Sequence, residues 1–89
     1  MNSATPWKLL VDREVGKQLR RIPKRDRERI VAALEELVVN PYSGDIEKMK
    51  GEPDVWRRRA GAYRIFFEVL SKKRTVYVYH VARRTSTTY

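Results

Sequence analysis

Arginine dominates the residues able to do chemistry in this 89-residue chain. Arg57 and Arg59 sit two apart in a stretch with strand character, which aims them at one face. Arg64 follows the Gly61-Ala62 turn on the next such stretch, and Arg83 and Arg84 end the last. If the three stretches pair as an antiparallel meander, Arg57, Arg59, Arg64 and the Arg83/Arg84 end converge on one concave surface. Guanidinium groups stay charged and grip phosphate through paired hydrogen bonds. Like charges side by side on a sheet cost stability. The cluster therefore points to a bound polyanion rather than to strand-surface charges with packed stems. Tyr89 is the final residue, carried by Thr85-Ser86-Thr87-Thr88. A phenol, ordinarily near ~10, titrates lower when ringed by cations, and its ring can stack on a nucleobase.

The rest of the inventory is thin. There is one histidine and no cysteine, which removes disulfides and the common structural zinc sites. No Gly-rich phosphate loop appears, so no nucleotide cofactor is expected. The carboxylates sit mostly in the helical half, without a pair among the strands. That argues against two-metal phosphoryl transfer and against glycosidase chemistry. His80 alternates with Val76 and Val78, which predicts a structural role. No apolar run approaches the ~18 residues of a membrane span. The N-terminus shows no signal peptide, so a cytoplasmic protein is expected.

Lys and Arg number 20 against 11 Asp and Glu, a net of +9. Residues 1–55 hold 11 basic and 10 acidic side chains, whereas residues 56–89 hold 9 basic and only Glu68. The excess is interleaved with aromatic residues and does not form a tail, the footprint of a polyanion-binding face.

One domain must position these residues, in a chain long enough to bury only about 60–65% of its unfolded surface. Trp7, Leu9 and Val11 predict a first strand near 6–11. Asp12 is a plausible N-cap for a helix carrying Val15, Leu19 and Ile22 on one side and ending at Pro23. A second helix carries Ile30, Leu34, Leu37 and Val38 and stops at Asn40-Pro41. So short a link predicts an antiparallel helix hairpin. Residues 41–54 read as a loop. Strands follow at 55–60, 63–70 and about 76–81, with a polar turn at 71–74. The fold class is α+β: an N-terminal strand, a helix hairpin and a three-stranded antiparallel meander, the helices on one face of a twisted sheet.

In this order, Leu19-Arg20-Arg21-Ile22-Pro23, Asn40-Pro41, Lys48-Met49-Lys50-Gly51, Trp56-Arg57-Arg58-Arg59-Ala60-Gly61-Ala62-Tyr63-Arg64-Ile65 and Val81-Ala82-Arg83-Arg84 with Tyr89 cover nearly the whole chain. The ordered set resembles the RelE/ParE toxin superfamily. The resemblance implies two helices packed on an antiparallel sheet and a cognate antitoxin partner. It implies one of two activities: cleavage of mRNA, usually in the ribosomal A site, in the RelE branch, or inhibition of DNA gyrase in the ParE branch. By resemblance to the RelE branch, Arg57, Arg59, Arg64, Arg84 and Tyr89 are the catalytic set. Lys48 and Lys50 flank the groove, and Arg58 and Arg83 add RNA contacts. The family often carries lysine where this chain has Arg57 and Arg59.

Metal-free RNA cleavage uses the substrate's own 2′-OH as nucleophile. Arginines suit the developing phosphorane charge but not proton removal, because guanidinium stays protonated. Tyr89 is then the candidate acid or base, or the ribosome supplies the rate by in-line positioning. A non-catalytic nucleic-acid-binding module is the further alternative.

Overall fold

The computed structural model describes residues 6–84. β1 (Lys8–Val11) leads into α1 (Arg13–Arg21) and α2 (Lys24–Val39). β2 (Ile46–Lys48), β3 (Val55–Ala60), β4 (Tyr63–Leu70) and β5 (Thr75–Arg83) follow, with a 3-10 turn at Ser71–Lys73. The strands form one sheet in the order β1-β5-β4-β3-β2. β1 runs parallel to β5, and all other neighbours are antiparallel. The α+β class, the two helices and the β3–β5 meander agree with the sequence reading. β2 does not: it lies inside the expected loop. Three residues are too few to show a period, and β2 exists because β3 offers it an edge, with Glu47 opposite Arg57.

Each helix begins and ends for local reasons. The Asp12 carboxylate accepts from the Glu14 amide at 3.1 Å, capping α1. Arg27 of α2 donates to the carbonyls of Leu19 (3.4 Å) and Ile22 (3.2 Å), so one helix satisfies the open end of the other. Both helices pack on one face of the sheet, α1 over β5 and α2 over β3 and β4. Val15, Ile30, Leu34 and Leu37 meet Ile65, Phe67, Val76 and Val78 in the core. Beyond Val78 β1 no longer borders β5, and the Gln18 amide takes over, donating to the Val81 carbonyl at 3.1 Å.

β5 has nine residues and its partner β4 eight. The difference is a bulge. Phe66 pairs with His80 but Phe67 pairs with Val78, leaving Tyr79 as the extra residue. The pleat therefore changes phase. Val76, Val78 and Val81 are buried toward the helices, while Tyr79 and His80 are both exposed on the other face. Strict alternation groups His80 with the core valines. The bulge places it instead against Phe66, ring centroids 5.2 Å apart.

β3 holds three consecutive arginines, and the middle one turns inward. Arg58 pairs opposite the fully buried Ile65. Its guanidinium forms an ion pair with Glu36 of α2 and donates to the carbonyl of Ser43 at 3.4 Å. Gly44, at φ +79°, lets the chain pass over it, since a Cβ there would run into the guanidinium. Arg58, expected from sequence to contact RNA, thus lies on the helix side of the sheet as a structural tie.

Two outcomes follow for stability. Arg58→Ala should cost about 1–3 kcal/mol in urea unfolding and leave the salt dependence of polyanion binding unchanged, because its head never reaches the open face. Gly16, mid-helix in α1 with open space where a Cβ would go, should behave oppositely. Gly16→Ala should stabilise by about 1 kcal/mol and raise the thermal midpoint by roughly 4–8 °C.

Candidate functional site

With both helices on one face, the other face of the sheet is left open among the described residues, and the register lays its residues out in rows. The first row runs Asp45, Arg59, Arg64, Ala82: the Arg59 amide donates to the Asp45 carbonyl at 3.0 Å, Arg59 is opposite Arg64, and Arg64 is opposite Ala82. The second runs Glu47, Arg57, Phe66, His80. The third runs Met49, Val55, Glu68, Tyr77. Rows lie two residues, or about 7 Å, apart along the strands.

The first two rows make a small pocket lined by Asp45, Glu47, Arg57, Arg59 and Arg64. Three of the expected arginines do converge. They do not stand free. Glu47 Oε1 accepts from Arg57 Nη2 at 2.6 Å and from Nε at 3.1 Å, and an Asp45 carboxylate oxygen lies 3.7 Å from Arg59 Nε. The hydrogen bond and charge of Arg57 hold the Glu47 carboxyl below its ordinary value of 4.5, with Arg64 and Arg59 adding to the effect. A carboxylate lowered in this way is ionised at neutral pH. The pairing is in place above the ordinary value and is lost only as pH falls below it.

The remaining expected residues divide. Arg84 follows Ala82 by two and so continues the phase of Arg64's face; its amide donates to the Ala62 carbonyl at 2.6 Å. Its Nε is shielded from solvent with no acceptor among the described residues. Arg83 pairs opposite the buried Tyr63 and belongs to the helix side. Lys48 pairs opposite Trp56, its ammonium 5.9 Å from the Trp56 ring centroid and 3.2 Å from the Glu52 carbonyl, so it too leaves the arginine face. Lys50 lies exposed in the turn after β2 and does not line the pocket. Tyr89 falls outside the described residues.

Asp45, Glu47, Phe66, Tyr79 and His80 were not singled out from sequence as neighbours of the arginines. The first two come from the part of the chain that holds ten of its eleven carboxylates and arrive only through β2. His80 arrives only through the bulge, whereas Tyr79 faces outward by plain alternation with Val76 and Val78. Among the described residues no group of His, Asp and Glu is gathered that could hold a metal ion. No described helix is long and apolar enough to cross a membrane.

Comparison with known proteins bears on this arrangement. Residues 7–87 match the family described as ParE toxin of type II toxin–antitoxin system, parDE. The chain is 29% identical over 77 residues to RelE1 of Methanocaldococcus jannaschii, covering 83% of this chain and 86% of that one. The toxin in the RelB–RelE antitoxin–toxin complex of Methanococcus jannaschii superposes with a TM-score of 0.70 at 32% identity, over 84% of this chain and 90% of that one. The archaeal RelE–RelB complex of Pyrococcus horikoshii gives 0.81 at 23% identity, over 92% and 99%. The isolated E. coli RelE toxin gives 0.78 at 22%, over 91% and 87%; these last two are likenesses of fold. A match over almost the whole chain, joined to a sheet with the same helix cover, settles the family: the chain belongs to the RelE/ParE toxins of type II toxin–antitoxin systems and is RelE-like.

Proposed function

We propose that this toxin is a ribosome-dependent endoribonuclease that cuts mRNA by attack of a ribose 2′-OH on the adjacent phosphate. The observation that carries the reading is the convergence of Arg57, Arg59 and Arg64 on one pocket of the open face. Three guanidinium groups from two neighbouring strands offer fixed donors to the non-bridging oxygens of a phosphodiester. Their charge favours the dianionic phosphorane over the monoanionic ground state, which is the difference that lowers a barrier. Arg84 extends the cationic face along the neighbouring strand.

Proton transfer needs a different group. Glu47 is an ionised carboxylate in the same pocket and can accept the 2′-OH proton. Its lowered basicity makes it a weak base, so in-line positioning of the mRNA by the ribosome carries much of the rate. Tyr89 would protonate the leaving 5′-oxygen. The products are a 2′,3′-cyclic phosphate and a 5′-OH, and no step requires a cofactor.

The partner would be a small antitoxin, as in the RelE–RelB complexes that this fold resembles. An acidic segment could neutralise the arginines in place of RNA. A second reading, inhibition of DNA gyrase without chemistry, is favoured by the family match itself, which is to ParE toxins. Induced expression followed by mapping of mRNA 5′ ends separates the two. New 5′ ends inside coding sequences support cleavage, whereas DNA damage signalling with intact mRNA supports gyrase inhibition.

Within the pocket, Arg64→Ala should slow cleavage on programmed ribosomes about 100- to 1000-fold without unfolding the protein. Arg84→Ala should behave alike, and Arg83→Ala should have little effect. Glu47→Gln should do two things at once. It should tighten RNA binding severalfold by freeing Arg57, and it should slow single-turnover cleavage by about 100-fold. Faster cleavage in that variant would show that Glu47 only masks Arg57 and takes no proton.

A further inference from the structure

The open face does not end at the arginines. Beside them lies an aromatic surface that the pocket does not use. Phe66 stands in the second row between Arg57 and His80, two residues along β4 from Arg64. Its ring is 5.2 Å from His80 and 6.4 Å from Tyr79, and Tyr79 is 6.1 Å from Tyr77. Neither helix covers these rings: both pack on the opposite face, and Tyr79 remains 36% exposed. Tyr77 is tethered, its hydroxyl 3.1 Å from an Asp12 carboxylate oxygen, which leaves Phe66, Tyr79 and His80 as the free part of the surface. The bulge completes it by adding His80. With unbroken pairing, Tyr79 and His80 would point to opposite faces; the extra residue turns both outward.

Water solvates such a cluster of rings poorly, and a contiguous exposed aromatic patch beside fixed cations is the composition of a single-strand nucleic-acid platform. Charge fixes the order of the ligand. The phosphate goes to the arginines, so the base attached to it reaches the rings that continue the row of Arg57. We infer that Phe66, Tyr79 and His80 form a nucleobase-stacking subsite that holds the unpaired base next to the phosphate bound by Arg57, Arg59 and Arg64. The occupant is single-stranded RNA, and the inference rests on the reading of the arginine pocket as a phosphate site. A base seated there stiffens the ribose–phosphate it carries, so the platform orients the reacting bond as well as adding affinity.

The test uses the full chain and two single-stranded RNA hexamers, one carrying 2-aminopurine at an internal position and one abasic there. Anisotropy gives affinity and 2-aminopurine fluorescence reports stacking. The wild-type protein should quench the fluorescence and bind the base-carrying hexamer about 5- to 100-fold more tightly than the abasic one. Tyr79→Leu and Phe66→Leu should abolish that preference and the quench, with the salt slope retained. Tyr79→Phe should keep both. Tyr79 is exposed, so its leucine variant keeps the test alive even if Phe66→Leu unfolds. Arg64→Ala should flatten the salt slope. Binding that depends on salt and Arg64 but ignores Tyr79 and the missing base overturns this inference and leaves the pocket reading standing. Binding indifferent to salt and to Arg64 overturns both. If Tyr79→Leu loses the antitoxin yet treats both hexamers as wild type does, the face docks protein and the stacking subsite is refuted.

Discussion

A strand residue has two faces to choose from, and in β3 the choice is made by Arg58. Its ion pair with Glu36 and its bond to Ser43 pull it under the helix α2. With that residue held inward, Arg57 and Arg59 can only point outward. Three consecutive arginines thus divide into one tie and two site residues, with no help from composition. The same contact holds the segment leading into β2 against the sheet, through Ser43 and the left-handed Gly44. β2 in turn brings Asp45 and Glu47 to the arginines. A single inward guanidinium therefore sets both the cations of the pocket and the carboxylates that face them.

The electrostatics of the pocket differ from those of the chain. The last third of the sequence carries nine basic residues and one acidic residue, yet the pocket is lined by three arginines and two carboxylates. The free toxin therefore presents modest local charge where its composition suggests a strong cationic field. Affinity must come from contacts that displace the carboxylates or from groups other than phosphate.

Much of this architecture is legible in the amino-acid order. The Asp12 cap, the apolar faces of α1 and α2 and the long strands β3–β5 all follow from period and punctuation. So does the convergence of Arg57, Arg59 and Arg64, because a tight Gly61-Ala62 turn leaves Arg64 nowhere else to go. Three things are not legible, and each is a tertiary decision. β2 is too short to show alternation and forms only against β3. The inward turn of Arg58 depends on Glu36, 22 residues away. The bulge at Tyr79 violates a period that the sequence itself displays without a break, and the misplacement of His80 follows directly from it.

That bulge also makes β5 a counter with one surplus unit. Downstream of it, the side of the sheet that each residue occupies is set by whether the number of residues since Val76 is odd or even, corrected by one. Loss of a single residue at Tyr79 would heal the ladder, a local improvement in backbone pairing. It would leave His80 opposite Phe66 and Arg84 on its present face, whereas loss of a residue between the bulge and Arg83 would turn Arg84 under the helices and bring Arg83 out in its stead. Families of this fold can therefore vary the identity of residues in the last strand far more freely than its length. An indel downstream of the bulge exchanges one arginine for its neighbour while leaving the composition of the site almost untouched.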